Sequence, residues 1–189
     1  MQTELKLIDD DFIRAWHPKY DETECDEPEY KRIANKINPE IQNLHTLTKE
    51  TFTDILDWKS PRVKGRIEWE NIRMYLDALR KCLEASGMEK MKILIALQGI
   101  GVPVASTFLH FLYPSSFPII DRRTVDVLRY FGYIRHKSID IKRYPSFWQA
   151  ILSIREYSQY SLREIDRAIF AYHKQNPELF GKLSKPRKQ

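Results

Sequence analysis

Residues 94–121, LIALQGIGVPVASTFLHFLYPSSFPIID, decide the fold. Leu94 and Leu97 close one apolar helix, Gly99-Ile100-Gly101 follows, and Ala105, Phe108, Leu109 and Leu112 recur as the inner face of a second helix. Two glycines let the chain reverse sharply and leave backbone N–H groups open at the second helix start. Such a start favours phosphate through its dipole and its unpaired donors. Pro103 suits that first turn, where a missing donor costs nothing. A turn through Pro114, Ser115 and Ser116 then leads by Phe117-Pro118-Ile119-Ile120 to Asp121. The pattern points to an anion-gripping turn with one acid beyond it. The plainer alternative is an ordinary helix–helix turn.

On either side the periodicity is helical. A short helix is expected over about residues 4–16, then an acidic loop with Asp21, Glu22, Glu24, Asp26 and Glu27, then a helix near 29–37. Thr51 and Asp54 are spaced as cap and first-turn carboxylate of a helix over 51–58. Residues 59–66, KSPRVKGR, break the pattern with Pro61 and Gly65 and read as an exposed basic loop. Trp69, Ile72, Leu76, Leu79 and Leu83 place one face of a long helix over about 67–85. Ser86 with Glu89 opens the helix that ends at Leu97. Asp121 opens another, with Val125, Leu128 and Phe131 inward and a stop near Gly132. Ser146 with Gln149, and Ser161 with Glu164, mark two more starts; the last helix buries Leu162, Ile165, Ile169 and Tyr172. The expected class is all-α, a helical bundle forming a single domain over 1–181. The basic tail 182–189, with Pro186, is expected to be disordered.

Composition agrees. The chain has 189 residues, enough for a proper core, and its 42% hydrophobic and 12% aromatic content excludes a disordered polymer. Six glycines and no alternating β-branched runs argue against a sandwich or barrel. No N-terminal stretch resembles a secretory signal and no apolar run could span a bilayer, so no membrane role and a cytoplasmic location are expected. Cys25 and Cys82 fit no metal spacing, and no metal is expected. Residues 1–60 carry a net −6, 61–121 a net +2 and 122–189 a net +9. That imbalance suggests a polyanion partner, against the alternative of an ordinary solvated surface. The oligomeric state is left open.

Leu97-Gln98-Gly99-Ile100-Gly101, with Ala105 four residues on and Phe117-Pro118-Ile119-Ile120-Asp121 beyond, resembles the helix-hairpin-helix DNA glycosylase superfamily of endonuclease III, the adenine glycosylase and the alkyladenine glycosylases. The spacing of eighteen residues from Pro103 to Asp121 also looks like the family's. The resemblance covers about forty residues, 94–132. It implies a hairpin that grips duplex DNA, a catalytic aspartate at Asp121, and no cofactor beyond a monovalent cation on the hairpin carbonyls. Bifunctional members carry their Schiff-base lysine where Pro103 stands, so lyase chemistry is expected to be absent. With no cysteine after Cys82, the iron–sulfur cluster of some members is absent too. The implied activity is that of a monofunctional glycosylase, which flips a damaged or mismatched base and hydrolyses its N-glycosidic bond. The alternative is a non-catalytic DNA-binding descendant. Bound to DNA, the protein would sit with the nucleoid.

The chemistry fits these residue types. Breaking an N-glycosidic bond builds positive charge on the deoxyribose, which a fixed carboxylate stabilises. The same carboxylate could orient or deprotonate the attacking water. Asp121 is equally well placed as a plain N-cap. The hairpin grip would come from Gln98, Gly99, Ile100, Gly101 and Val102 through backbone N–H groups. Lys59, Arg62, Lys64 and Arg66 could meet phosphates, or form a solvated turn with Trp58 tucked inward. Arg122 and Arg123 could hold phosphates beside a flipped nucleotide, lie on the surface, or pair with Asp121. Trp16, Tyr30, Trp58, Tyr113 and Trp148 could stack on an extruded base, although most such rings pack in cores. The five histidines form no ligand set.

Overall fold

The computed structural model describes residues 7–180, and every regular element among them is helical. The helices are α1 (Asp10–Trp16), α2 (Glu27–Leu44), α3 (Lys49–Lys59), α4 (Ile72–Glu84), α5 (Gly87–Ile95), α6 (Val102–Leu112), α7 (Arg122–Tyr130), α8 (Tyr144–Glu156), α9 (Leu162–Gln175) and α10 (Pro177–Phe180). Short 3₁₀ turns cover His17–Tyr20, Pro61–Arg66 and Trp69–Asn71. The 182–189 tail and the first residues of the expected N-terminal helix lie outside the described residues. No described helix is long and apolar enough to cross a membrane.

Several helix starts fall where the cap chemistry puts them. Asp121 and Ser161 each complete a capping box, with Thr124 and Glu164 respectively. Other boundaries move for identifiable reasons. Thr48, not Thr51, caps α3, accepting the Thr51 N–H at 3.1 Å, while the buried Thr51 hydroxyl donates to Glu40 at 2.5 Å. The helix expected over 67–85 begins only at Ile72. Trp69 Nε1 donates to the Lys64 carbonyl at 3.0 Å and the Glu68 N–H to Tyr75 Oη at 3.1 Å, which folds that lead-in into turns. α2 runs past residue 37, through Pro39, to Leu44, because Glu40 is held by the Thr48 N–H at 2.7 Å and the two threonine hydroxyls. α8 starts at Tyr144, two residues before Ser146, with Pro145 in its first turn.

α6 is the centre of one continuous core: Val102 and every residue from Val104 to Phe111 are buried. α2, α3 and α5 pack against it, and α1, α7, α8 and α10 gather around α9. The two groups meet along the extended segment 117–120, which is buried throughout. Several of its backbone groups are bonded by side chains from both sides, as burial favours. The Ile120 N–H donates to Ser106 Oγ at 3.1 Å and Tyr144 O–H to the Pro118 carbonyl at 3.0 Å. His110 bonds the Phe117 carbonyl at 2.9 Å, and Trp148 Nε1–H donates to the Ser116 carbonyl at 2.6 Å. Asp121 therefore stands at the end of a chain segment clamped from α6 and α8.

Candidate active site

Asp121 caps α7 with one oxygen. Oδ1 accepts the Thr124 N–H at 2.8 Å, and the Asp121 N–H donates to Thr124 Oγ1 at 3.0 Å. Oδ2 makes no hydrogen bond among the described residues. The cap thus uses half the carboxylate and leaves the other oxygen uncommitted.

That half-buried carboxylate lines a cleft of about 380 Å³. Four parts of the chain build its walls: Tyr20, Glu24 and Asp26 ahead of α2; Trp58 and Lys59 closing α3; Ile119, Asp121 and Arg123; and Arg163, Asp166 and Phe170 on α9. Arg163 is the buried hub, its side chain 8% exposed. It donates to Asp166 Oδ2 at 2.9 Å, Asp26 Oδ1 at 3.2 Å and Glu27 Oε2 at 3.4 Å. Its guanidinium also lies over the rings of Tyr20, Tyr30 and Trp58, 4.9, 4.8 and 5.1 Å from their centres. Carboxylates and aromatic faces together offset the cost of desolvating that cation. Burial pushes the Asp166 carboxyl up to about 6; Arg163 opposes the shift and neighbouring Asp121 adds to it.

Of the residues expected at the site, Asp121, Lys59, Arg123 and Trp58 come together here. Arg123 lies over Phe170, 4.7 Å from the ring centre, and its Nε is buried with no hydrogen-bond partner among the described residues. Arg122 turns away: its Nε donates to Asp126 Oδ2 at 2.9 Å and its Nη1 to the Lys137 carbonyl at 3.4 Å. Neither arginine is among the ion partners of Asp121. Trp16 packs edge-on against Tyr172, Tyr113 bonds Lys90, and Trp148 stacks on Phe117, so these rings stay with the core. Tyr30 donates to His110.

The 98–101 turn lies apart from this cleft. Gln98, Gly99, Ile100 and Gly101 line a shallow depression with Arg66 and Leu97. Ile100 and Val102 point their side chains inward, so the turn presents backbone. The N–H groups of Gly99, Gly101 and Val102 have no intramolecular partner among the described residues. Gly99 has φ +79°, and a Cβ there would lie 2.5 Å from the Arg66 carbonyl oxygen. The carbonyls of Leu97, Gln98 and Gly101 accept protein hydrogen bonds, whereas those of Gly99 and Ile100 have no partner among the described residues. Among the described residues no group of three His, Cys, Asp or Glu is placed to hold a metal.

Residues 59–66 connect the two places. Lys59 lines the cleft and Arg66 lines the depression. The intervening Pro61–Arg66 turn, at ~2.0 Å per residue, covers on the order of 12 Å. Arg62 is exposed, whereas Lys64 pairs with Asp57 at 2.7 Å.

Asp166, Arg163, Tyr20 and Phe170 carried no signal of their own in the sequence. Arg163 and Asp166, three apart on the last helix, look like a solvated i,i+3 pair. Only the packing of His17–Tyr20 and the start of α2 across them makes them a buried hub. No family model matches the chain, and no solved structure matches it significantly.

Proposed function

We propose that the protein is a monofunctional DNA glycosylase. The single observation that carries this is the position of Asp121: a carboxylate with one uncommitted oxygen on an open cleft lined by aromatic rings, cations and further carboxyls. Trp58 and Phe170, the half-buried rings on the cleft, suit a planar base turned out of the duplex. Lys59 and Arg123 suit the phosphates on either side of it. The 98–101 turn supports the reading as the hairpin of a helix-hairpin-helix, with bare amides and Arg66 beside it for the duplex backbone. In this scheme Asp121 takes a proton from the attacking water and stabilises positive charge on the sugar. Pro103 stands where the bifunctional members that the sequence resembles carry their Schiff-base lysine, so the product in this scheme is an intact strand with an abasic site.

The capping box favours a second reading, a DNA-binding protein without chemistry, since Thr124 alone accounts for an aspartate at this position. One assay separates them. Duplexes bearing damaged or mismatched bases are incubated with the protein and treated with alkali to cut at abasic sites. The wild type yields cut strands; Asp121→Asn loses cutting by 100-fold or more, on the order of a general-base contribution, and keeps its DNA affinity. Binding without cutting on every duplex selects the second reading.

A further inference from the structure

The cleft holds a second carboxyl, and its charge balance is unusual. Arg163 serves three carboxylates at once: Asp26, Glu27 and Asp166. The next cation along α9, Arg167, is shared between Asp21 and Glu27. Asp121 adds a further acid to the same cleft with no ion pair of its own among the described residues. Even with Lys59 and Arg123 on the walls, acids outnumber the cations that face them. Like charges so placed resist ionising together, and the most enclosed of them is the last to lose its proton as pH rises. Asp166, with a side chain 11% exposed, is that group. Its Oδ2 is engaged by Arg163, and its Oδ1 has no hydrogen-bond partner among the described residues.

Resting on the glycosylase reading, we infer that Asp166 is the proton donor to the departing base, and that the substrate is therefore an uncharged nucleobase rather than a cationic alkylated one. An uncharged base leaves C1′ poorly because it must carry away the electron pair of the broken bond; a proton on a ring nitrogen removes that difficulty. The step balances with one water consumed. The water oxygen bonds to C1′ and gives a proton to Asp121. The C1′–N bond breaks, its electrons pass to the base, and the Asp166 proton goes to the base nitrogen. Solvent then takes the proton from Asp121 and restores one to Asp166. A carboxyl pushed up to about 6 by burial is suited to this near neutral pH. Trp58 and Phe170 supply faces for a planar ring, and neither Lys59 nor Arg123 opposes a neutral one.

The test uses two probe duplexes, one carrying hypoxanthine, which is neutral, and one carrying 7-methylguanine, whose charge makes acid assistance unnecessary. Wild type releases hypoxanthine with a kcat/KM that falls as pH rises above about 6. Asp166→Asn releases it on the order of 100-fold more slowly and loses that alkaline fall, while Asp166→Glu restores it. On 7-methylguanine, Asp166→Asn slows release at least tenfold less than it does on hypoxanthine. The wild-type pH profile is informative even where a variant folds poorly. Equal hypoxanthine release by wild type and Asp166→Asn, or wild-type release of 7-methylguanine alone, overturns the inference and leaves the glycosylase standing. A wild type that releases neither base, nor any other across a lesion panel, brings down the glycosylase reading itself and this inference with it.

Discussion

Gly99 is where one added methyl would be felt most. Its φ of +79° is a left-handed conformation, and the Cβ would meet backbone of residue 66 at 2.5 Å, an atom that no side-chain rotation can move. Gly99→Ala should lower unfolding free energy by roughly 2 kcal/mol or more, against about 1 kcal/mol for Gly87→Ala, where φ is +48° but the space is open. Denaturant titration of the two variants measures the difference. His110 sets a second expectation. The Phe117 carbonyl can only accept, so Nδ1 carries the proton and Nε2 accepts from Tyr30 O–H at 2.9 Å. Burial lowers this imidazole from 6.5 to about 4, so its contribution is complete above 6.5 and disappears as pH falls towards 4. Asp166 has the opposite sign: raised from 3.8 to about 6, it favours the fold below 3.8 and loses that contribution as pH rises through 6. The two slopes overlap and partly cancel in the wild type. Asp166→Asn should therefore gain stability relative to wild type as pH climbs from about 4 to 6, by at most ~1.4 kcal/mol per pH unit. A flat difference across that range contradicts it. At this scale Asp121 was legible, because a cap has a local spacing. Asp166 was not, because its burial depends on residues more than a hundred positions away.

Among elements, the short run from the end of α3 to the 98–101 depression has the most direct consequence for binding. Lys59, Arg62 and Arg66 are free of ion pairs among the described residues, whereas Lys64 is already held by Asp57. If the run follows a duplex backbone, neutralising each of the first three should make the slope of log affinity against log salt shallower by about 1. Lys64→Gln should change it little. Fluorescence anisotropy at several salt concentrations distinguishes the four. α7 and α9 were readable from their capping residues, as was α6 from its glycines and apolar face. The lead-in to α4 was not. Trp69 fits the apolar stripe, but its indole bonds Lys64 instead and a helix over residues 67–71 never forms. The clamp on residues 117–120 was equally hidden, since Ser106, His110, Tyr144 and Trp148 come from two helices whose adjacency no local pattern reveals.

Over the whole molecule, the uneven charge along the chain has an internal explanation as well as an external one. Acids of the N-terminal block meet bases of the C-terminal block directly: Asp21 with Arg167 at 2.5 Å, Glu24 with Lys174 at 3.0 Å, and Asp26 with Arg163 at 3.2 Å. Part of the excess that suggested a polyanion partner is therefore consumed in closing the fold. Removing the hub should be costly. Arg163→Met leaves Asp26, Glu27 and Asp166 facing one another without it, and is expected to destabilise by roughly 3–5 kcal/mol at neutral pH, less in acid as the carboxyls take up protons. Thermal unfolding at two pH values checks both the size and the sign. The same clasp fixes when the cleft comes into being. One wall is Tyr20 with Asp26, the wall across from it is Arg163 with Asp166 and Phe170, and Asp121 lies between. A nascent polypeptide that has left the ribosome only as far as α7 would display its aspartate without the α9 wall. The complete cleft would then arrive in a single late event of biosynthesis, and a prematurely terminated product would lack it altogether.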